Sequence, residues 1–207
     1  MAELRTYAFI DILQPQFAAY TATTGKGFLP VERQAALYVE VAPGIEINRL
    51  TDVALKATGV QPAIQVVERA FGLLEVHSFD QGEVREAGRS ILRAMGLEEK
   101  QRLKPKVMTS EAITNVSPYH ATLVNRNRNG NMLLGGQTLY ILEVLPAGYA
   151  ALAANEAEKA SPISIIEVRS AGAFGRVWLG GTEADIAEAG KAAIAALEAI
   201  DGRVDGK

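Results

Sequence analysis

"VVERAFGLL", residues 66–74, sets an acid and a base, Glu68 and Arg69, before Ala70-Phe71-Gly72 in the middle of an apolar run. "SAGAFGRVWL", residues 170–179, carries the same Ala-Phe-Gly as Ala173-Phe174-Gly175, with Ala171 and Gly172 where the charged pair stood. Each stretch reads as two β-strands meeting at a glycine-containing turn, since β-branched and aromatic residues flank the break. The echo extends along the chain. "ALKA" at 54–57 is answered by "AEKA" at 157–160, and Glu40 by Glu143. Pro15, Gly27 and Gln34 are answered by Pro118, Gly130 and Gln137, each 103 positions on. "REAGR" at 85–89 returns as "AEAGK" at 187–191, with the offset slipped to 102. Matches in common order at near-constant spacing indicate a duplicated structural unit of roughly 100 residues. The copies, 1–104 and 105–207, join within "EEKQRLKPKVMTSE", which is charged, polar and holds Pro105.

Each copy has the same predicted plan. Extended segments come first, "LRTYAFIDIL" and "FAAYTATT" in copy one. A hairpin turn follows at Gly25-Lys26-Gly27 or at residues 128–131, where Asn129-Gly130 suits a turn with positive φ. Then comes the strand around Glu40 or Glu143. Helix one is expected over about 45–57 and 148–160, with Ile47, Leu50, Val53, Ala54 and Ala57 on one face and Gly59 or Pro162 at its end. Two strands joined at the Ala-Phe-Gly come next. Helix two opens at Asp80 with Glu83, or at Thr182 with Asp185, in the manner of reciprocal caps, and stops at Gly96 or Gly202. Antiparallel strands with segregated helices give an α+β fold.

Composition narrows function. Of 207 residues, 48% are hydrophobic and 22% charged, an ordinary globular balance. The net charge is −3 with no basic block, so nucleic acid is an unexpected partner, because phosphate binding needs clustered Lys and Arg. There is no cysteine, hence no thiolate nucleophile and no cysteine metal site. No stretch suits a signal peptide or a membrane span, so the expected location is cytosolic and no membrane is a partner. The two histidines, His77 and His120, are read as ordinary residues in or near strands rather than as metal ligands. "TATTGKGF" lacks the spacing of a phosphate loop. "NVS" at 115–117 is idle as a glycosylation acceptor without export. No nucleophile, base and orienter can be assembled, so neither catalysis nor a cofactor is expected.

The ordered double set of motifs resembles the bacterial microcompartment shell domain, in the tandem, trimer-forming class. A hairpin before the Glu40 or Glu143 strand is similar to the circularly permuted form. The resemblance covers nearly all of residues 3–202. It implies a structural subunit whose trimers have a hexagonal outline, tile with other shell proteins around an organelle-like compartment, and in some cases stack in pairs. It also implies that the turn after the second strand faces a central pore for small metabolites. In gated members a Glu-Arg pair in copy one closes that pore, which here falls on Glu68 and Arg69. Ala70, Phe71, Gly72, Ala171, Gly172, Ala173 and Phe174 would line its rim. The copy-two turn lacks charge, so the fold does not demand charge there. The alternatives are a trimeric small-molecule sensor and an enzyme with an unrecognised site. The compartment type, its cargo and the metabolite are left open.

Overall fold

The computed structural model describes residues 2–204. In the first half, β1 (Glu3–Ile10) leads to α1 (Pro15–Thr24) and β2 (Ala35–Ala42); a single 3-10 turn at Gly44–Glu46 enters α2 (Ile47–Ala57), followed by β3 (Gln61–Glu68), β4 (Phe71–Ser78) and α3 (Gln81–Met95). The second half repeats the order as β5 (Lys106–Ile113), α4 (Pro118–Asn125), β6 (Thr138–Leu145), α5 (Tyr149–Ala160), β7 (Ser164–Arg169), β8 (Gly175–Gly181) and α6 (Glu183–Glu198). The two four-stranded antiparallel sheets have orders β1-β2-β4-β3 and β5-β6-β8-β7, an α+β fold. The duplication reaches the backbone: register shifts fall between Leu4 and Thr6 and between Pro62 and Ile64, and again at Val107/Thr109 and Ile165/Glu167.

Five expectations are corrected. "FAAYTATT" is helix α1, not a strand, because Pro15 supplies a pre-set first turn and Phe17, Tyr20 and Thr21 share one buried face. Gly27 and Gly130 therefore do not turn hairpins. They let the chain approach an outer strand: a Cβ would lie 2.2 Å from Pro62 O or 2.3 Å from Ile165 O, so glycine is needed for contact. His120 lies on α4, where its N–H donates to the Ser117 cap. Gly202 is not the α6 cap, a place taken by Ala199, but packs against the backbone of residues 102–104. At α3 the cap is Asp80, which accepts from Gly82 and Glu83 N–H, and Gly96 at φ 67° ends the helix. Glu83 does not reciprocate; its carboxylate accepts from Gly59 N–H and ties α2 to α3.

In the first half, Leu37, Val39 and Val41 of β2 pack on Ile47, Leu50 and Ala54 of α2 and on Val84, Ala87 and Ile91 of α3. The other face of this sheet is covered too. Ala36, Tyr38 and Leu73 meet Phe17 and Tyr20 of α1 in a cluster that runs on into Tyr149–Ala154 of α5. Burial on both faces is why β2 reads as an apolar run broken only by Glu40. The halves are pinned by polar contacts as well. Glu40, 1% exposed, accepts from Arg5 Nε at 2.9 Å, from Thr6 Oγ1 at 3.3 Å and from Gly148 N–H at 2.7 Å. Burial pushes its carboxyl above the usual range despite these donors. Arg102 in the linker donates to Tyr7 O and Asp201 O, and Tyr149 donates its hydroxyl to Leu103 O. His77, in β4, is fully buried with Nδ1 3.1 Å from Glu75 Oε1.

Candidate functional site

β3 and β4 run in register to the pair Glu68–Phe71, which leaves Arg69 and Ala70 as a two-residue loop. Such a loop needs a backbone that twists with the strands, which is commonly reached through positive φ. Arg69 takes φ 55°. β7 and β8 keep the equivalent register only as far as Arg169–Arg176, so the second turn is wider and its ladder stops two pairs earlier. Gly172, the counterpart of Arg69 in the repeat, has φ 109°. Both copies thus place a left-handed residue at the same position, one with glycine and one with arginine. Glycine does this without strain, whereas an L-residue there costs roughly 1 kcal/mol. The turn does not require Arg69; its side chain is what the position gains. Arg69→Gly is accordingly expected to leave stability unchanged or raise it by up to about 1 kcal/mol in thermal unfolding. A loss of stability would mean that the guanidinium holds the turn.

The side chains stand out from the fold. Glu68 is 51% and Arg69 87% exposed, and Arg69 Nε lies 3.9 Å from Glu68 Oε1, a loose and solvated pair. The structure brings the two turns together: a Cβ on Gly172 would lie 3.6 Å from Glu68 Cγ. The small residues of copy two therefore border the charged residues of copy one within a single chain. Ala70 and Ala173 are exposed, Phe71, Ala171, Gly172 and Phe174 half-buried, and Gly72 buried. Gly72 has no space for a side chain, since a Cβ would meet Gly44 O at 2.2 Å. It seats β4 against the turn that enters α2.

The phenylalanines are held in place rather than free. The Arg5 guanidinium lies 3.7 Å from the centre of the Phe71 ring, and that of Arg176 lies 5.8 Å from the Phe174 ring. Arg5 and Arg176 also grip the repeated glutamates, Glu40 and Glu143. Sequence reasoning missed both arginines, because they come from different strands in the two halves. It also missed a cleft of 360 Å³ beside the turns, lined by Lys26, Gln65, Val66, Arg169 and Ala171. No motif could mark it, since three distant segments of both copies form it.

Among the described residues no three His, Asp or Glu side chains gather to hold a metal ion. No helix of the described residues is long and apolar enough to cross a membrane. Within one chain the arrangement sets an exposed charged turn beside a turn of small residues.

Comparison with known proteins gives a consistent result. Residues 4–101 match the CsoS1D N-terminal domain family. The carboxysome shell protein CcmP of Synechococcus elongatus is 55% identical over 201 residues, spanning 97% of this chain and 94% of that protein. The fused permuted hexameric shell protein MSM0275 from the RMM microcompartment superimposes with a TM-score of 0.93 at 46% identity, over 96% of this chain and 99% of that one. The double ringed trimeric shell protein MSM0271 from the RMM microcompartment does so with a TM-score of 0.95 at 42% identity, over 99% of this chain and all of that one, 100%. Extensive identity across both copies, on the same duplicated fold, leaves one conclusion: the chain belongs to the family of bacterial microcompartment shell proteins that fuse two permuted shell domains.

Proposed function

We propose that this shell subunit assembles as a homotrimer of hexagonal outline, with a gated pore on its threefold axis. Each chain contributes two domains, 1–104 and 105–207, to a ring of six. Threefold symmetry gathers three Glu68 and three Arg69 around the axis, alternating with the small Ala171 and Gly172 of copy two. Ala70, Phe71, Gly72, Ala173 and Phe174 form the rim. The long side chains reach between subunits to close the hole, and the small neighbours leave them room to withdraw. The observation that carries this reading is the juxtaposition of Glu68 with Gly172, together with an arginine held in a backbone state that glycine prefers. Such subunits tile with other shell proteins of a microcompartment in the cytoplasm, form a wall without chemistry of their own, and pass small metabolites. Two rings stack, as the name of the double ringed relative says of that protein.

Native mass spectrometry tests the assembly: three chains per particle, or six for a stacked pair, are expected. A stable monomer or dimer, or a discrete oligomer that never tiles with partner shell proteins, would contradict the reading.

A further inference from the structure

In the ring proposed above, on which this inference rests, copy one and copy two alternate. Half of the boundaries between them lie inside a chain and half between chains. The internal boundary is visible. There α1 docks on α5 and β7, and its first turn is capped from across: the N–H groups of Gln16 and Phe17 donate to Glu158 Oε1 and Oε2, each at 2.8 Å. This satisfies donors that a helix start leaves free. Gln16 completes the contact. Its Oε1 accepts from Asn131 Nδ2 at 2.7 Å and from Ile165 N–H at 3.1 Å.

Among the described residues the counterparts of these elements find no such partner. α4, the repeat of α1, buries only Ala121, while Tyr119 is 87% and Leu123 59% exposed. On the face equivalent to the receiving side, Leu55 is 38% and Phe28 59% exposed. Substituting each internal partner by its repeat equivalent turns Gln16 into Tyr119, Glu158 into Leu55, Asn131 into Phe28 and Ile165 into Pro62. Gln16, Glu158 and Asn131, which meet at the start of α1, are all exchanged for side chains with large apolar surface, whereas Asn155, which bonds Gln14 N–H and Ile12 O further along the boundary, is answered by the exposed Asp52. Even the backbone donor at Ile165, which Gln16 uses, is gone at Pro62, which has no N–H, and Tyr119, the counterpart of Gln16, carries no amide oxygen to need one. Independent drift would leave some groups unpaired, and buried unpaired groups are expensive. A concerted exchange is what a second contact of the same geometry and different chemistry requires.

We propose that α4 of one chain docks, through Tyr119, on Leu55, Phe28 and Pro62 of a second copy of this chain, closing the ring through an apolar form of the internal boundary. The difference in chemistry also fixes the order of copies. Seating α1 on the Leu55 face would leave Gln16 and two helix N–H groups without acceptors, and seating α4 on the Glu158 face would press a carboxylate against Tyr119.

The chain has no cysteine, so an introduced pair is read without background. Tyr119→Cys with Phe28→Cys, treated with a short bismaleimide, is expected to give a covalently closed trimer on a denaturing gel, and each single variant none. Leu55→Lys sets a cation at the positive end of α4 and removes apolar contact. It is expected to raise the concentration for half-dissociation of the trimer by on the order of 100-fold, while circular dichroism of the released monomer stays that of a folded chain. If the unaltered protein forms no trimer, the ring fails and this interface with it. If it forms a trimer, yet the cysteine pair does not cross-link and Leu55→Lys dissociates at the unaltered concentration, the interface is wrong and the ring stands.

Discussion

Glu40→Ala is expected to destabilise the chain by about 3–5 kcal/mol, the range found when one partner of a buried ion pair is removed. The loss has two parts. Arg5, 8% exposed, is left without the carboxylate at 2.9 Å. Gly148 N–H, across the boundary between the halves, loses its acceptor. For a chain of this size the fall in Tm should be roughly 10 °C at fixed protein concentration. Glu40→Gln keeps an acceptor for Gly148 and Thr6 but not the charge, so its loss should be smaller. The carboxyl also has a pH signature. Burial raises its folded value above the ordinary 4.5, so the folded chain binds the proton more tightly than the unfolded one. Stability from this site is present below the ordinary range and declines as pH rises through the raised value. That portion of the decline should vanish in Glu40→Gln. An alanine variant that loses less than about 1 kcal/mol, within the range of an exposed pair, would show that this carboxylate does not join the halves.

Glu68→Ala combined with Arg69→Ala should leave the trimer intact and open it. In the proposed ring, three exposed ion pairs at up to about 1 kcal/mol each would hold the closed state by up to about 100 to 1. Removing them should raise the passage of a small charged metabolite through an assembled shell by roughly 10-fold or more, with a wider hole in projection by electron microscopy. The Arg69→Gly variant separates the effects, since it deletes the charge while relieving the backbone. Failure of the double variant to assemble would assign the pair to the subunit interface instead of a gate, and unchanged passage would deny it any part in closure.

Much of this was legible from residues 66–74 and their echo. The repeat, the strands around Glu40 and Glu143, the helices at 47–57 and 149–160 and the strand-turn-strand units all follow from apolar periodicity and spacing. α1 and α4 were not legible in the same way. Phe17, Tyr20 and the threonines favour strands intrinsically, and tertiary packing on α5 overrides that preference. The glycines at 27 and 130 misled for a related reason: sequence marks a glycine but not whether it serves a turn or a close approach. At the candidate site, Glu68 and Arg69 were singled out by their contrast with Ala171 and Gly172, and the pore role proposed for them came from the family resemblance. The shared left-handed backbone that makes this contrast meaningful, and the arginines that brace the two phenylalanines, depend on φ angles and cross-strand neighbours that no linear motif encodes.

The most direct test of the gate is a structure of the assembled protein, read for the distance of Glu68 and Arg69 from the threefold axis. The account predicts that both side chains meet on the axis or line a hole around it, with Ala171 and Gly172 between them. A ring that carries the pair on its outer rim, or a chain that forms no ring, would contradict it.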